Sequence, residues 1–274
     1  MSGASEAQRV ETTAKELIAL LGTGRQIAPF TTRDPNFGLA DAYAVAERVR
    51  ELRVARGERV VGRKIGFTNR AVQATFGVSA PIWNYMFAGS VHDLAASGSF
   101  ALAGTVAPRI EPEIVLHLAS APRAGMSERE IADCVDWMAH GFEIVDSIFP
   151  GWSFRAADAV AGFGVHTALL IGERRPIAGK QAQWIDALAT FTIALRSNDG
   201  IEKSGGGANV LGSPLAALKF LIEEVARYPS CRPLKAGEIV TTGTLTDAMP
   251  IKPEQLWSTR LDGIPLEGIA VKFR

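Results

Sequence analysis

Arg109-Ile110-Glu111-Pro112-Glu113-Ile114-Val115-Leu116-His117-Leu118 alternates with a period of two, which makes it a strand with one apolar and one charged face. Ile110, Pro112, Ile114, Leu116 and Leu118 share the first face, and Arg109, Glu111, Glu113, Val115 and His117 the second. Glu111 and Glu113 stand only ~6.6 Å apart along such a strand, at ~3.3 Å per residue, so both carboxylates can reach one cation if their side chains converge. An ordinary half-buried strand with its polar face in water has the same pattern. A third carboxylate decides between them.

Downstream, Ser127-Glu128-Arg129-Glu130 is a capping-box signature that opens a helix expected to run to about His140, and Gly141-Phe142-Glu143-Ile144-Val145-Asp146-Ser147 then reads as another strand. A carboxylate between Phe142 and Ile144 is either a salt-bridged strand residue or one received by a cation, because an unpaired buried carboxylate is costly. Glu111, Glu113 and Glu143 form an all-oxygen, trianionic set that suits Mg2+ or Mn2+ and is a poor fit to zinc. Upstream, Val60 to Phe67 reads as a strand in which Gly62 and Gly66 flank Lys64. That lysine either aims its ammonium at a ligand or is one surface lysine among many. Thr241-Thr242-Gly243-Thr244, after Ile239-Val240, is either a strand end whose hydroxyls and amides suit a small carboxylate or a plain edge strand. The glycines 205–207 lack the lysine of a phosphate loop and read as a flexible connection.

Composition narrows the function classes. The 274 residues can bury a large core as one domain or as a main domain with a smaller companion. Twenty-nine basic residues balance 29 acidic ones, which disfavours nucleic acid as a partner. Cys134 and Cys231 are far apart in no metal-ligand spacing, and the N-terminus lacks a secretory pattern, so a reduced, cytoplasmic protein is expected. No apolar run approaches the ~20 residues of a membrane span.

The remaining elements follow from periodicity. An amphipathic helix is expected over 6–21 with Val10, Ala14, Leu17 and Ile18 inward, then a loop over 25–38, then a second helix from about Asp41 that stops at Gly57. A short helix is expected near Arg70 to Phe76, with Pro81 and Trp83 in a loop behind it. From about Val91 short strands and turns dominate, which divides the chain into an N-terminal helical region over 1–90 that contributes a pocket strand and a β-rich catalytic domain over 91–274. Asp199-Gly200 and Asp262-Gly263 read as hairpin turns, and Ser213-Pro214 as the start of the last long helix.

Taken together, Lys64-Ile65-Gly66-Phe67-Thr68, Arg109 to Ile114, Gly141 to Ser147, Val210-Leu211-Gly212-Ser213-Pro214 and Val240 to Thr244 resemble the 2-keto-4-pentenoate hydratase and 2-oxo-3-hexenedioate decarboxylase group of the fumarylacetoacetate hydrolase superfamily. The likeness runs in order from roughly Ala40 to the C-terminus. It implies an α+β fold with a mixed β-roll catalytic domain, a homo-oligomer, Mg2+ or Mn2+ held by Glu111, Glu113 and Glu143, and Lys64 beside the substrate. Two departures stand out: Ile82 follows Pro81 where the family's aspartate is expected, and Gly164-Val165-His166 stands where many relatives carry a serine.

The expected activity is a metal-dependent hydro-lyase that adds water to a small 2-hydroxydienoate or 2-oxoenoate, giving a 4-hydroxy-2-oxo acid. Lys64 orients the carboxylate or shuttles a proton, Arg109 with Thr242, Gly243 and Thr244 binds the substrate, and His166 is either a general base or structural. Decarboxylation, C–C hydrolysis with His166 as water activator, and a non-catalytic partner subunit are the alternatives. A hetero-complex with a decarboxylase or hydratase of the same pathway belongs with that last reading.

Overall fold

The computed structural model describes residues 3–70, 73, 80–94 and 98–274, with the side chains of 3–5 left aside. The helix expected near Arg70 to Phe76 lies largely outside them. Helix α1 (Gly3–Leu20) buries Ala14, Leu17 and Ile18 against α3 (Leu39–Ala55), which contributes Ala42, Tyr43, Val45, Ala46 and Val49. The Asp41 carboxylate accepts the Gly38 N–H at 3.1 Å and so caps α3. Between them, the expected loop contains a single turn, α2 (Phe30–Arg33), held where Asp158 accepts both the amide and the hydroxyl of Thr31.

Strands β1 (Val60–Gly66), β2 (Ile82–Phe87), β3 (Val91–Asp93), β5 (Arg109–Leu118), β6 (Val135–Val145), β7 (His166–Ile171) and β11 (Ile239–Thr241) build a mixed sheet in the order β2-β1-β11-β5-β6-β7-β3. Two short strands join it off this path, β8 (Arg175–Pro176) on β6 and β12 (Met249–Pro250) on β5. A second sheet runs β10 (Glu202–Gly206), β9 (Thr192–Ser197), β13 (Leu256–Asp262), β14 (Ala270–Phe273), β4 (Ser99–Phe100). Its Leu195, Trp257, Val271 and Phe273 pack on Ile110, Phe142, Ile144 and Leu170 of the first sheet. Elsewhere the first sheet is covered by helices, including α5 (Ala156–Ala161), α6 (Gln181–Thr190) and α7 (Pro214–Arg227). This is the α+β, curled-sheet architecture expected from the sequence.

Several local expectations are corrected. The helix opened by Ser127 is α4 (Glu128–Asp133), with the capping box in place, and the chain then turns directly into β6 rather than staying helical to His140. Nearly every side chain of β6 is buried because both faces of the sheet are covered, so no two-residue alternation marks its start. Trp83 lies in β2, whose six residues are all buried, and not in a loop. Asp262-Gly263 is not a two-residue hairpin: residues 263–269 connect β13 to β14. Asp199-Gly200 does lie in the β9–β10 hairpin, with Gly200 at φ 90°, but within the connection 198–201 and not as a two-residue primed turn, since Asp199 is not left-handed. Ser213 caps α7 by accepting the Ala216 N–H at 3.1 Å.

Pro112 sits inside a central strand, where its missing N–H would ordinarily break a ladder. Its carbonyl accepts Leu245 N at 2.8 Å, and N and C=O of one strand residue point the same way. The absent donor therefore faces the loop after β11, and the β5–β6 ladder is intact through Arg109↔Val145.

Candidate metal centre and active site

Strand register brings the three glutamates together. Glu111 pairs directly with Glu143 across β5–β6, and Glu113 lies two residues further along the same face. One carboxylate oxygen from each lies within 4.8 Å of the other two. Directly opposed like charges destabilise a sheet, so a cluster of this kind calls for positive charge. β1 supplies some of it. Its parallel pairing with β11 and antiparallel pairing with β2 set Lys64, 1% exposed, with Nζ donating to Glu143 Oε2 at 3.1 Å.

The other oxygens have distinct fates. Glu143 Oε1 is 2.7 Å from His166 Nδ1, and Glu113 Oε2 accepts the Gly243 N–H at 2.8 Å. Glu113 Oε1 is buried and has no hydrogen-bond partner among the described residues. An orphaned carboxylate oxygen beside two further carboxylates is costly as it stands and suited to a hard divalent cation, so the donor set fits the Mg2+ or Mn2+ expected from the sequence.

Ionisation follows the same geometry. Burial pushes the Glu111 carboxyl up to about 7, against the partial relief of Lys64. Burial, then the charges of Glu143 and Glu111, raise Glu113 well above the carboxylate range. Burial would also raise Glu143, yet the charge of Lys64 and the bond from His166 hold it down at about 2. Burial alone would lower the Lys64 ammonium, but the charges of Glu143, Glu111 and Glu113 outweigh it and keep it above its usual value.

Beside the carboxylates is a cavity of about 60 Å³, room for some two waters at ~30 Å³ each. Lys64, Glu111, Arg109 and Thr244 line it together with apolar Ile82 and Val165. Arg109 lies over the Trp152 ring, 4.2 Å from its centroid. Thr242 turns its hydroxyl away, donating to the Ile114 carbonyl at 3.1 Å, while Thr244 donates to the Thr246 carbonyl at 2.9 Å. His166 does not line this cavity. It stands behind Glu143, with Nε2 2.9 Å from Ser90 Oγ.

Three features here were not singled out from the sequence. Thr68 reaches the cavity with a buried hydroxyl that has no partner among the described residues, and Gly243, at φ 103°, passes so close that a Cβ would stand 1.9 Å from Thr68 Oγ1. Phe163, Gly164 and Val165 carry φ of 61°, 63° and 55° in succession, a left-handed run that is strained for a β-branched residue. It presses on Lys64: a Cβ on Gly164 would come within 2.9 Å of Lys64 Cδ. Finally, His140 bridges the sheets, Nδ1 3.0 Å from the Glu113 carbonyl and Nε2 2.9 Å from Thr259 Oγ1, and burial lowers it to about 4. Thr68 sits in the quoted Lys64–Thr68 run, whereas the other two depend on tertiary contacts.

The chain is 32% identical to 2-keto-4-pentenoate hydratase of Paraburkholderia phymatum, over 95% of this chain and 96% of that one. It is 29% identical to 2-hydroxyhexa-2,4-dienoate hydratase of Comamonas testosteroni over the same shares. Among solved structures, it superposes on the 4-oxalocrotonate decarboxylase from Pseudomonas putida G7, complexed with magnesium and adipate. That match has a TM-score of 0.88 at 24% identity and covers 98% of both chains, a shared fold. No model of a protein family matches the chain.

Proposed function

This chain belongs to the 2-keto-4-pentenoate hydratase family of the fumarylacetoacetate hydrolase superfamily, and on that premise we propose that it is a divalent-metal-dependent hydro-lyase that adds water to a small 2-hydroxydienoate or 2-oxoenoate, giving a 4-hydroxy-2-oxo acid. The observation that carries this reading is the pairing of Glu111 with Glu143 beside the orphaned Glu113 Oε1, three oxygen donors with too little positive charge among them. Glu111, Glu113 and Glu143 would hold Mg2+ or Mn2+, which supplies Lewis-acid polarisation of the substrate's 2-oxo group.

The chain's own groups do the rest. Lys64, held as an ammonium by its carboxylate neighbours, donates to the substrate carboxylate or to the oxygen where negative charge develops. Arg109, flattened on Trp152 at the cavity wall, supplies a fork for the carboxylate. Gly243 orients Glu113 through its N–H, Thr242 pins that loop to β5, and Thr244 forms the wall beside it. His166 fixes the Glu143 carboxylate from behind and is a positioning residue. We further read the protein as a cytoplasmic homo-oligomer.

Decarboxylation is the second reading, favoured by one observation: Ile82 and Val165 present hydrocarbon to the cavity. Such a wall excludes water from an enolate left by loss of CO2. Incubating the purified chain and Mg2+ with 2-hydroxypenta-2,4-dienoate tests hydration, read as loss of the diene chromophore with formation of a 4-hydroxy-2-oxo acid. Release of CO2 from an oxalocrotonate-type acid, with the dienoate untouched, would replace hydration by decarboxylation, and inertness toward both would overturn the enzyme reading.

A further inference from the structure

We propose that a second cavity, separated from the carboxylate cluster by the His166 side chain, is a binding site for a small organic acid anion. It measures about 200 Å³, the space of roughly six or seven waters at ~30 Å³ each, and lies where the N-terminal helices meet the first sheet. Junctions between structural layers are where small-molecule sites concentrate. This proposal goes beyond the function assigned above and does not depend on it.

The lining has two chemistries. Arg25, Arg50 and Arg53 supply the cationic part. Arg50 spends Nε and Nη2 on Glu47 Oε1, at 2.8 and 2.5 Å, and Arg53 spends the same pair on Glu58 Oε2, at 3.0 and 2.6 Å. Nη1 of both, and the whole Arg25 guanidinium, have no hydrogen-bond partner among the described residues. Glu47 and Glu58, the partners of Arg50 and Arg53, stand outside the lining. Asp146, the one acidic residue of the lining among the described residues, is engaged by the amides of Val106, Ala107 and Ser147, which it accepts at 2.8, 2.9 and 3.0 Å.

The remainder of the wall includes Val49, Phe87 and Ile148, with Arg53 lying over the Phe87 ring 3.6 Å from its centroid. Free guanidinium donors set directly beside hydrocarbon suit a carboxylate on a short carbon body better than a bare inorganic anion. Ser90, also in the wall, is within hydrogen-bond reach of His166, which in turn bonds Glu143. An occupant would therefore sit one imidazole away from the candidate metal ligands without touching them.

Malonate titrated calorimetrically into protein dialysed free of divalent ions is the test. The parent should bind it, Arg25→Met and Arg53→Met should each weaken binding at least about tenfold, and Arg260→Met, exposed on β13 and outside both cavities, should leave it unchanged. Arg25 is exposed at the rim, so its replacement keeps the test open even if Arg53→Met misfolds. Absence of binding, or binding kept at the parent's strength in both Arg25→Met and Arg53→Met, would overturn the second site. Inorganic phosphate binding as tightly as malonate would overturn the organic-acid assignment. Neither turnover nor metal enters the measurement, so its failure is distinct from failure of the hydratase reading.

Discussion

Replacing Glu113 with glutamine should abolish the response of the protein's heat stability to divalent ions while leaving the ion-free protein at least as stable as the parent. In ion-free parent protein, Glu111 and Glu113 are carboxyls whose folded values are raised above the unfolded 4.5. Groups raised in this way cost nothing below the unfolded value, destabilise progressively as pH climbs from the unfolded value to the folded one, and carry their full cost above it. For Glu111, moved to about 7, the full cost is roughly 3 kcal/mol and is reached above pH 7; Glu113, raised further, adds to it. Glu143 behaves oppositely: held at about 2, it stabilises above 4.5 and loses that contribution as pH falls toward 2. A bound cation removes the cost of ionising Glu111 and Glu113, so its effect should grow between pH 5 and 8. At a hundredfold excess over its dissociation constant it adds ~2.7 kcal/mol. At roughly 2 °C per kcal/mol for a chain of this size, that is about 5 °C. Differential scanning fluorimetry at pH 5, 6.5 and 8, with and without Mg2+ or Mn2+, reads this directly. In Glu113→Gln the amide still accepts the Gly243 N–H and its NH2 can donate toward the neighbouring carboxylates, so the ion-free variant keeps its stability at pH 8. A parent whose melting temperature ignores both ions at pH 8, or a variant that retains the full shift, would refute the shared site.

Three further outcomes are expected. Lys64→Met should lower kcat/KM by about 10²–10³ while the Mg2+-loaded variant still folds, as circular dichroism would report; unaltered turnover would return the lysine to a structural role. His166→Ala should weaken Mg2+ affinity about 10–100-fold in calorimetry and leave kcat at saturating metal near the parent's, whereas a fall in kcat with affinity intact would make it a catalytic base. Gly243→Ala should destabilise the fold by roughly 3 kcal/mol or more in urea unfolding, because Cβ at φ 103° meets Thr68 Oγ1, and a neutral result would show that this loop has slack.

The Arg109–Leu118 alternation and the quoted run through Glu143 were legible in the sequence because charge inside apolar strands is rare enough to be informative. Lys64 was legible through its flanking glycines. What stayed hidden needed tertiary knowledge. Strand β6 starts eight residues before its carboxylate, but burial on both faces erases the period that would separate it from the preceding helix. β2 was hidden in the same way. The left-handed run at Phe163–Val165 has no local signature, since only Gly164 among the three tolerates that conformation. His140 read as a helix end because its partners, the Glu113 carbonyl and the Thr259 hydroxyl, are 27 and 119 residues away.

The position of β11 has a consequence for how the protein is made. Three residues, Ile239–Thr241, are wedged between β1 and β5, and no other strand lies between those two. Until they emerge from the ribosome, β1 and β5 each present an open edge that nothing nearer in sequence can cover. At ~5–20 residues per second, roughly ten to thirty seconds separate synthesis of β1 from arrival of its partner. Closing so long a loop is entropically slow, and unpaired hydrophobic edges are templates for aggregation in the meantime. The pocket lysine and the carboxylates are thus joined last, by the same event that seals the sheet, so a nascent chain carries no assembled centre until its C-terminal third has been threaded into place.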